Sequence, residues 1–500
     1  MLEPLAMPWR KRLVPLAGLL LSACINLAPP FERPALPVPE RYPPRAEAED
    51  QGSAPATLCW QGFLREPDLV RLVEQALIHN LDLKAAALRV SEAQAAFGIQ
   101  RAERFPSLAL GVDLSRSRTP ADLSVTGRPN LASREQIGVS LASWELDFWG
   151  RVANLESAAL ASYLATDAAR QAFRLTLINQ VIQGYLALGE LDERLALARR
   201  SEASRADSLR IFRRRVELGA TSRLELTQVE ILWQQAHTLV AQLEQARAVQ
   251  AQALGLLAGG DAAHLPAARV DPAVFSGVAL RVGLPSELLM ARPDVMAAEH
   301  RLRAAGASIG AARAAFFPRI ALTASAGTAS AELDGLFKGG SSVWSFSPGI
   351  SLPLLDGGRR EAALELARVR QAQGVVEYQK TLQGAFREVA DGLAAIQWLT
   401  VQLATLNGSL AVQTERTRLA RLRYESGAAR YLEVLDAERD RLAVEQQHVQ
   451  VRRALLSARV TLYVALGGGS LHEVPAACGA LPCDPCPLKS PGKDHEAHRP

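Results

Sequence analysis

The sequence predicts a mainly α-helical chain that also carries transmembrane β-strands: a β-hairpin followed by long coiled-coil helices, the whole unit duplicated. Three observations predict it. The 28 prolines of the 500-residue chain are clustered, 11 in residues 1–60 and 6 from Pro475 onward, so 136 residues between Pro129 and Pro266 and 121 between Pro353 and Pro475 contain none. Proline breaks helix interiors, and spans this long without it invite very long helices. Four short segments alternate apolar with small or polar residues, and motifs of the first half recur in the second at a nearly constant offset. Length alone would suggest three or four ordinary domains, but this patterning argues for one extended unit written twice. At 48% hydrophobic residues the chain is neither collagenous nor wholly disordered. No uncharged apolar run reaches the roughly 18 residues of a membrane helix. A net charge of +4 with 5% aromatics lacks the basic, base-stacking signature of a nucleic-acid binder.

The N-terminus reads as an address. Arg10, Lys11 and Arg12 precede the apolar run Leu13 to Ala23 and then Cys24, a signal-peptide pattern too short to span a bilayer. Leu21-Ser22-Ala23-Cys24 resembles the bacterial lipobox, in which the cysteine becomes the first mature residue and carries S-diacylglycerol and an N-palmitoyl chain. Residues 1–23 are then the signal peptide, with Met1 or Met7 as start, and several acyl chains on Cys24 anchor stably. Ile25 follows rather than aspartate, which by resemblance directs the anchor to the outer membrane. Residues 24–66, rich in Pro, Ala and Glu from Ala28 to Pro55, read as a lipidated extended tether.

The repeats follow at 67–260 and 285–469, joined by a linker over 261–284. Phe105-Pro106 recurs as Phe317-Pro318, an offset of 212; Gly150, Glu217-Leu218-Gly219-Ala220 and Gly259-Gly260 recur 208 residues on as Gly358, Glu425-Ser426-Gly427-Ala428 and Gly467-Gly468. Each repeat opens on a helical stretch, Leu69 to about Glu103 and Pro293 to about Ala315. Strands are expected at about 106–118 and 134–147, then at about 318–330 and 341–354. Leu108, Leu110, Val112 and Leu114 share one face, as do Ile137, Val139 and Leu141, then Ile320, Leu322, Ala324 and Ala326, then Trp344, Phe346, Pro348, Ile350 and Leu352. Period two with one apolar face fits strands between lipid and water. Trp144, Phe148, Trp149, Phe105 and Phe317 cluster at strand ends as interfacial aromatics would. Four strands cannot close a barrel, and open edges in hydrocarbon leave backbone groups unpaired, so several chains must share one.

The helices carry a heptad seam. Leu177, Val181, Gly184, Leu188, Leu191, Leu195 and Ala198 alternate spacings of four and three, and the register persists 208 residues later from Ala385 to Leu406. After the glycine break Val229, Leu232, Ala236, Leu239, Leu243, Ala246, Gln250, Ala253 and Leu257 continue it. Nearly 70 residues from Gly150 to Gly219 make roughly 100 Å of helix.

These residues carry a family resemblance. The lipobox, Ser143-Trp144-Glu145-Leu146-Asp147-Phe148-Trp149-Gly150-Arg151, Gly283-Leu284-Pro285-Ser286-Glu287-Leu288-Leu289 before Arg292-Pro293-Asp294, Ile309-Gly310-Ala311-Ala312 before Phe316-Phe317-Pro318, and Leu462-Tyr463-Val464-Ala465-Leu466-Gly467-Gly468-Gly469 together resemble the TolC-like outer-membrane efflux proteins (outer membrane factors), lipoprotein branch, OprM/NodT-like. The resemblance implies a homotrimer with a shared 12-stranded barrel and an α-helical periplasmic tunnel. It implies as partners a periplasmic adaptor (membrane fusion protein) and an inner-membrane transporter of the RND, MFS or ABC kind, with no enzymatic activity and no cofactor. It also puts Leu432 and Asp436 in the constricting rings of a periplasmic gate, with Arg439 and Tyr424 in the network that tethers it. Leu432, Asp436 and Arg439 lie at i, i+4 and i+7, on one helical face. In the first repeat Gln228 stands where Asp436 stands in the second.

Other features carry less. Cys483-Asp484-Pro485-Cys486 with His472, His495 and His498 is a weak metal pattern, and oxidised pairing among Cys59, Cys478, Cys483 and Cys486 is the better default, with connectivity open. No metal site is assigned, and residues 470–500 read as a Cys/Pro-rich disordered tail. No HExxH motif is present. The leading function is a passive exit duct for drugs, toxic compounds or metal ions in a tripartite efflux pump. A duct for type I protein secretion and a nontransporting coiled-coil lipoprotein scaffold remain alternatives.

Overall fold

In a computed structural model, residues 26–39, 42, 55–260, 265–275, 280, 286 and 291–470 are described. Cys24, the signal segment, Cys478, Cys483 and Cys486, and most of Gly283–Leu289 lie outside them. The described elements are helices α1 (Trp60–Phe63), α2 (Pro67–His79) and α3 (Leu81–Ala102), strands β1 (Leu108–Thr119) and β2 (Asn130–Glu145), helices α4 (Arg151–Glu217), α5 (Arg223–Ala258) and α6 (Pro293–Ala314), strands β3 (Arg319–Ser330) and β4 (Ser342–Ser351), and helices α7 (Arg359–Glu425) and α8 (Tyr431–Ala465). The duplication is visible in the lengths. α4 and α7 each have 67 residues, β1 and β3 each 12.

The chain divides into two units. One contains residues 1–35, 89–167 and 297–378, and the other residues 36–88, 168–296 and 379–500. The first is built on an antiparallel sheet in the order β1-β2-β3-β4, with β1 and β4 as its edges. Directly opposed residues of antiparallel strands share a face. Leu110, Val139, Ala326 and Trp344 therefore form one row, and Leu108, Leu141, Ala324 and Phe346 the next. In these two rows the sheet is apolar across its width, whereas nearer the hairpins the same face carries Thr328 and Ser342 beside Ile137, and Glu135 and Ser330 beside Leu114. A bulge between Leu141 and Trp144, with Ser143 at φ 44°, shifts the alternation so that Trp144 pairs with Leu322. Counting by twos from Leu141 would have put Trp144 on the polar face.

The N-terminal segment of the same unit lies along α6. Arg33 pairs with Glu299 at 3.1 Å, the Arg303 guanidinium stands 4.6 Å over the Phe31 ring, and Arg313 donates to the Leu27 carbonyl at 3.0 Å.

The second unit packs helix against helix. Leu177, Val181, Leu188, Leu195 and Ala198 of α4 are buried as the seam requires. A Cβ at Gly184 would meet Leu254 at 3.0 Å, and one at Gly392 would meet Leu462 at 3.4 Å. Both partners shift by the same 208 residues, so the close approach of helices is itself repeated. The end of the α5 seam differs from expectation. Ala246 and Ala253 are exposed, and the buried positions are Leu254 and Ala258. A straight α-helix drifts by about 20° per heptad. Four heptads from Val229 bring the neighbouring column inward.

The first helical stretch also differs. Leu69 to Glu103 is not continuous, because Asn80 separates α2 from α3. Its side-chain amide donates to the Leu257 carbonyl at 3.1 Å, and its oxygen accepts from the Leu83 N–H at 3.0 Å. That cap lets α2 bury Leu69, Leu72, Val73 and Ala76. Although the sequence holds no uncharged membrane-length run, α7 includes an 18-residue window apolar enough by composition to cross a bilayer, only 22% of it buried. Trp398, Val401 and Val412 are exposed apolar residues along the same helix.

Candidate functional site

The sequence-predicted gate residues lie where α7 turns into α8. Gly427 takes φ 77° and its counterpart Gly219, between α4 and α5, takes 69°. Both need the left-handed region that costs an ordinary residue roughly 1–2 kcal/mol. Each turn is braced by the same ion pair, Arg213 to Glu230 at 3.3 Å in the first repeat and Arg421 to Glu438 at 3.2 Å in the second.

Beyond that brace the second turn is ionic. Asp436 and Arg439 come together at 3.2 Å, and Arg439 also reaches Asp440 at 3.1 Å. Asp440, which sequence reasoning did not single out, is the hub: it additionally accepts from Arg416 of α7 at 2.7 Å. The Arg416 guanidinium, with Arg439 beside it, holds the Asp440 carboxyl below its ordinary pKa. Leu432 is 42% exposed on the same helix. Tyr424 is not part of this group. Its hydroxyl accepts from Arg215 of α4 at 2.8 Å, and its ring stands 4.9 Å from that of Tyr431.

Tyr431 was also missed. Its ring lies 5.1 Å from Phe212, its hydroxyl shares a hydrogen bond with Ser208, and burial raises its pKa. It ties the second-repeat turn to the buried cluster of Leu209, Phe212, Val229 and Leu435. The signal for Arg215 was in the sequence, since it stands 208 residues before Arg423, itself paired with Glu433 at 2.6 Å.

At the other predicted site, the aromatics gather where strands meet helices. Trp149 donates to the Pro318 carbonyl at 2.8 Å and stacks on Phe317 at 4.8 Å; Trp144 donates to the Arg104 carbonyl at 3.2 Å. Phe148 is half-buried and Phe105 is exposed. Glu145, beside them, holds both Arg151 and Arg319 at 2.8 Å, joining β2, α4 and β3. Among the described residues no His, Cys, Asp or Glu group suited to a metal ion occurs.

A duplicated hairpin sheet with one apolar face, feeding paired 67-residue helices, defines a class: the mostly helical outer-membrane channels, whose chains share a trimeric barrel and a helical tunnel. The comparisons carry this to a family. The family model described as outer membrane efflux protein matches residues 72–260 and 284–468. Outer membrane protein OprJ of Pseudomonas aeruginosa is 43% identical over 467 residues, covering 91% of this chain and 95% of OprJ. Solvent efflux pump outer membrane protein SrpC of Pseudomonas putida is 39% identical over 462 residues, 91% of this chain and 98% of its own. The open-state crystal structure of the MtrE outer membrane channel of Neisseria gonorrhoeae superposes with a TM-score of 0.80 at 34% identity, covering 89% of this chain and 99% of MtrE. The chain belongs to the outer membrane efflux protein family and is an outer-membrane efflux channel.

Proposed function

We propose that this chain is the passive exit duct of a tripartite efflux pump, expelling small toxic organic molecules that an inner-membrane transporter passes on through a periplasmic adaptor. The carrying observation is the sheet. Its four strands share an apolar face over the half nearer the helices, and the sheet ends in two open edges. Open edges are unaffordable in hydrocarbon, which supports closure by two further copies into 12 strands. The name of the SrpC relative, a solvent efflux protein, supports the substrate class.

In this reading Leu432 and Asp436 line the closed periplasmic entrance, with Arg439 and Tyr424 tethering it. Three symmetry-related Asp436 carboxylates repel one another unless paired, and Arg439 supplies the pairing within each chain. The aromatics Trp144, Phe148, Trp149, Phe105 and Phe317 sit at the membrane boundary. Cys24 carries the lipid. Support for the anchor comes from the tether, because Leu27, three residues after Cys24, is held by Arg313, six residues before β3.

Single-channel recording on the purified protein in planar bilayers tests the duct and its gate together. Asp436→Ala and Arg439→Ala are each expected to raise conductance over a low basal level. Unchanged conductance in both variants would remove the gate assignment, and absence of current from every form would remove the duct. Incorporation of labelled palmitate, expected in the unaltered chain and lost in Cys24→Ser, tests the anchor.

A further inference from the structure

The four helix-attached ends of the strands lie at one end of the sheet and the two hairpin turns at the other. With the tunnel on the periplasmic side, the hairpin end faces the outer leaflet. Along β1 the lipid-facing column is Leu108, Leu110, Val112 and Leu114, all more than 60% exposed. It spans about 20 Å of strand, close to the height of a barrel's apolar band. The next two positions of that column are Arg116 and Arg118, opposed by Ser133 and Leu131 of β2. They project on the lipid-facing side about 7 and 13 Å beyond Leu114. A cation on that face is costly at the bilayer midplane and nearly neutral at the interface.

The two ends of the sheet treat arginine differently. At the helix end, Arg104 pairs with Glu156, Arg151 and Arg319 with Glu145, and Arg360 with Asp356. At the hairpin end Arg116 and Arg118 have no ion pair with any described residue and are exposed. Arg134, close by on β2, points to the opposite face and donates to Gln136 at 2.8 Å.

We propose that Arg116 and Arg118 form a docking row for the phosphate groups of outer-leaflet lipopolysaccharide. The apolar column below receives the acyl chains, and the two guanidiniums meet the phosphorylated sugar headgroup immediately above it, by bidentate charge-assisted hydrogen bonds that phosphate geometry favours. The row rests on the barrel lying in the outer membrane, and it adds an anionic lipid partner that fixes the barrel's depth.

The test is titration of the purified, detergent-solubilised full-length channel with fluorescent lipopolysaccharide, read by anisotropy. Arg116→Gln or Arg118→Gln is expected to weaken binding about fivefold, and the double variant about 30-fold, with the difference shrinking in high salt. Arg134→Gln should bind like the unaltered chain, and dephosphorylated lipopolysaccharide should bind all forms as weakly as the double variant. Equal binding by the double variant, an equal loss in Arg134→Gln, or indifference to phosphate removal would each overturn the row. Single-channel conductance, expected to be unchanged in all these variants, separates failure of the row from failure of the channel itself.

Discussion

At Gly219 the turn between α4 and α5 adjoins an apolar cluster, whereas at Gly427 the turn between α7 and α8 opens onto a chain of ion pairs. The two share backbone geometry and the Arg–Glu brace, and both members of the brace shift by 208 residues. They part at four further positions. Where the second repeat has Asp436, Arg439, Asp440 and Arg416, the first has Gln228, Ile231, Leu232 and Ser208. Leu232 packs against the cluster of Leu209 and Phe212. Asp440 instead holds two arginines. The caps differ too: Ser222 accepts from the Glu225 N–H at 3.2 Å to start α5, while Arg430, its counterpart, starts α8 without a side-chain cap. Duplication preserved the scaffold and left one turn beside packed apolar side chains and the other beside a network of ion pairs.

Breaking the ionic hub should have the largest effect. Asp440→Ala removes the carboxylate that links Arg416 to Arg439 and leaves Arg439 with Asp436 alone; it is expected to raise single-channel conductance several-fold, more than Asp436→Ala, and a smaller rise than in Asp436→Ala would return Asp436 to the centre of the network. The same link gives a pH dependence. The folded pKa of Asp440 lies below its ordinary value, so the link is complete above the ordinary carboxylate range and is lost as pH falls through the folded value. Conductance of the unaltered channel should therefore rise on acidification, and part of that rise should vanish in Asp440→Ala.

Stability changes sort the two turns next. Tyr431→Ala removes a half-buried ring from between Phe212 and Tyr424 and is expected to cost about 2 kcal/mol in denaturant unfolding. Leu232→Ala should cost about 2 kcal/mol with conductance unchanged, and an altered conductance would mean that the first turn also gates. Gly219→Ala and Gly427→Ala meet no neighbour within 4 Å, so each carries only backbone strain. Equal losses of about 1–2 kcal/mol are expected, and unequal ones would show that the turns differ in backbone after all. The smallest effects belong to the caps. Ser222→Ala should lose about 1 kcal/mol, and Arg430→Ser should gain about 0.5 kcal/mol. No gain would mean that the α8 N-terminus is already satisfied by other groups.

Much of this was legible in order along the chain. Proline-free spans and the 208-residue offset located α4, α5, α7 and α8, and period-two alternation located the strands, because helix and strand periodicities write themselves into local sequence. The bulge at Ser143, the break at Asn80 and the inward turn of Leu254 were not legible. Each depends on a partner distant in sequence: Leu322 for Trp144, the Leu257 carbonyl for Asn80, Gly184 for Leu254. The proposed gate residues show the same limit. Spacing put Asp436 and Arg439 on one face, but a turn of helix cannot announce that Arg416, 24 residues before Asp440, will reach across to it.

The sequence by itself determined the repeat, the element types, the apolar face of each strand and the residues at both turns, since these follow from periodicity and from the conformational limits of glycine and proline. Only the tertiary structure decided which equivalent positions became chemically different. Pairing across helices selects partners by distance in space, and the same offset that made the two halves alike in backbone left their side chains free to meet different neighbours.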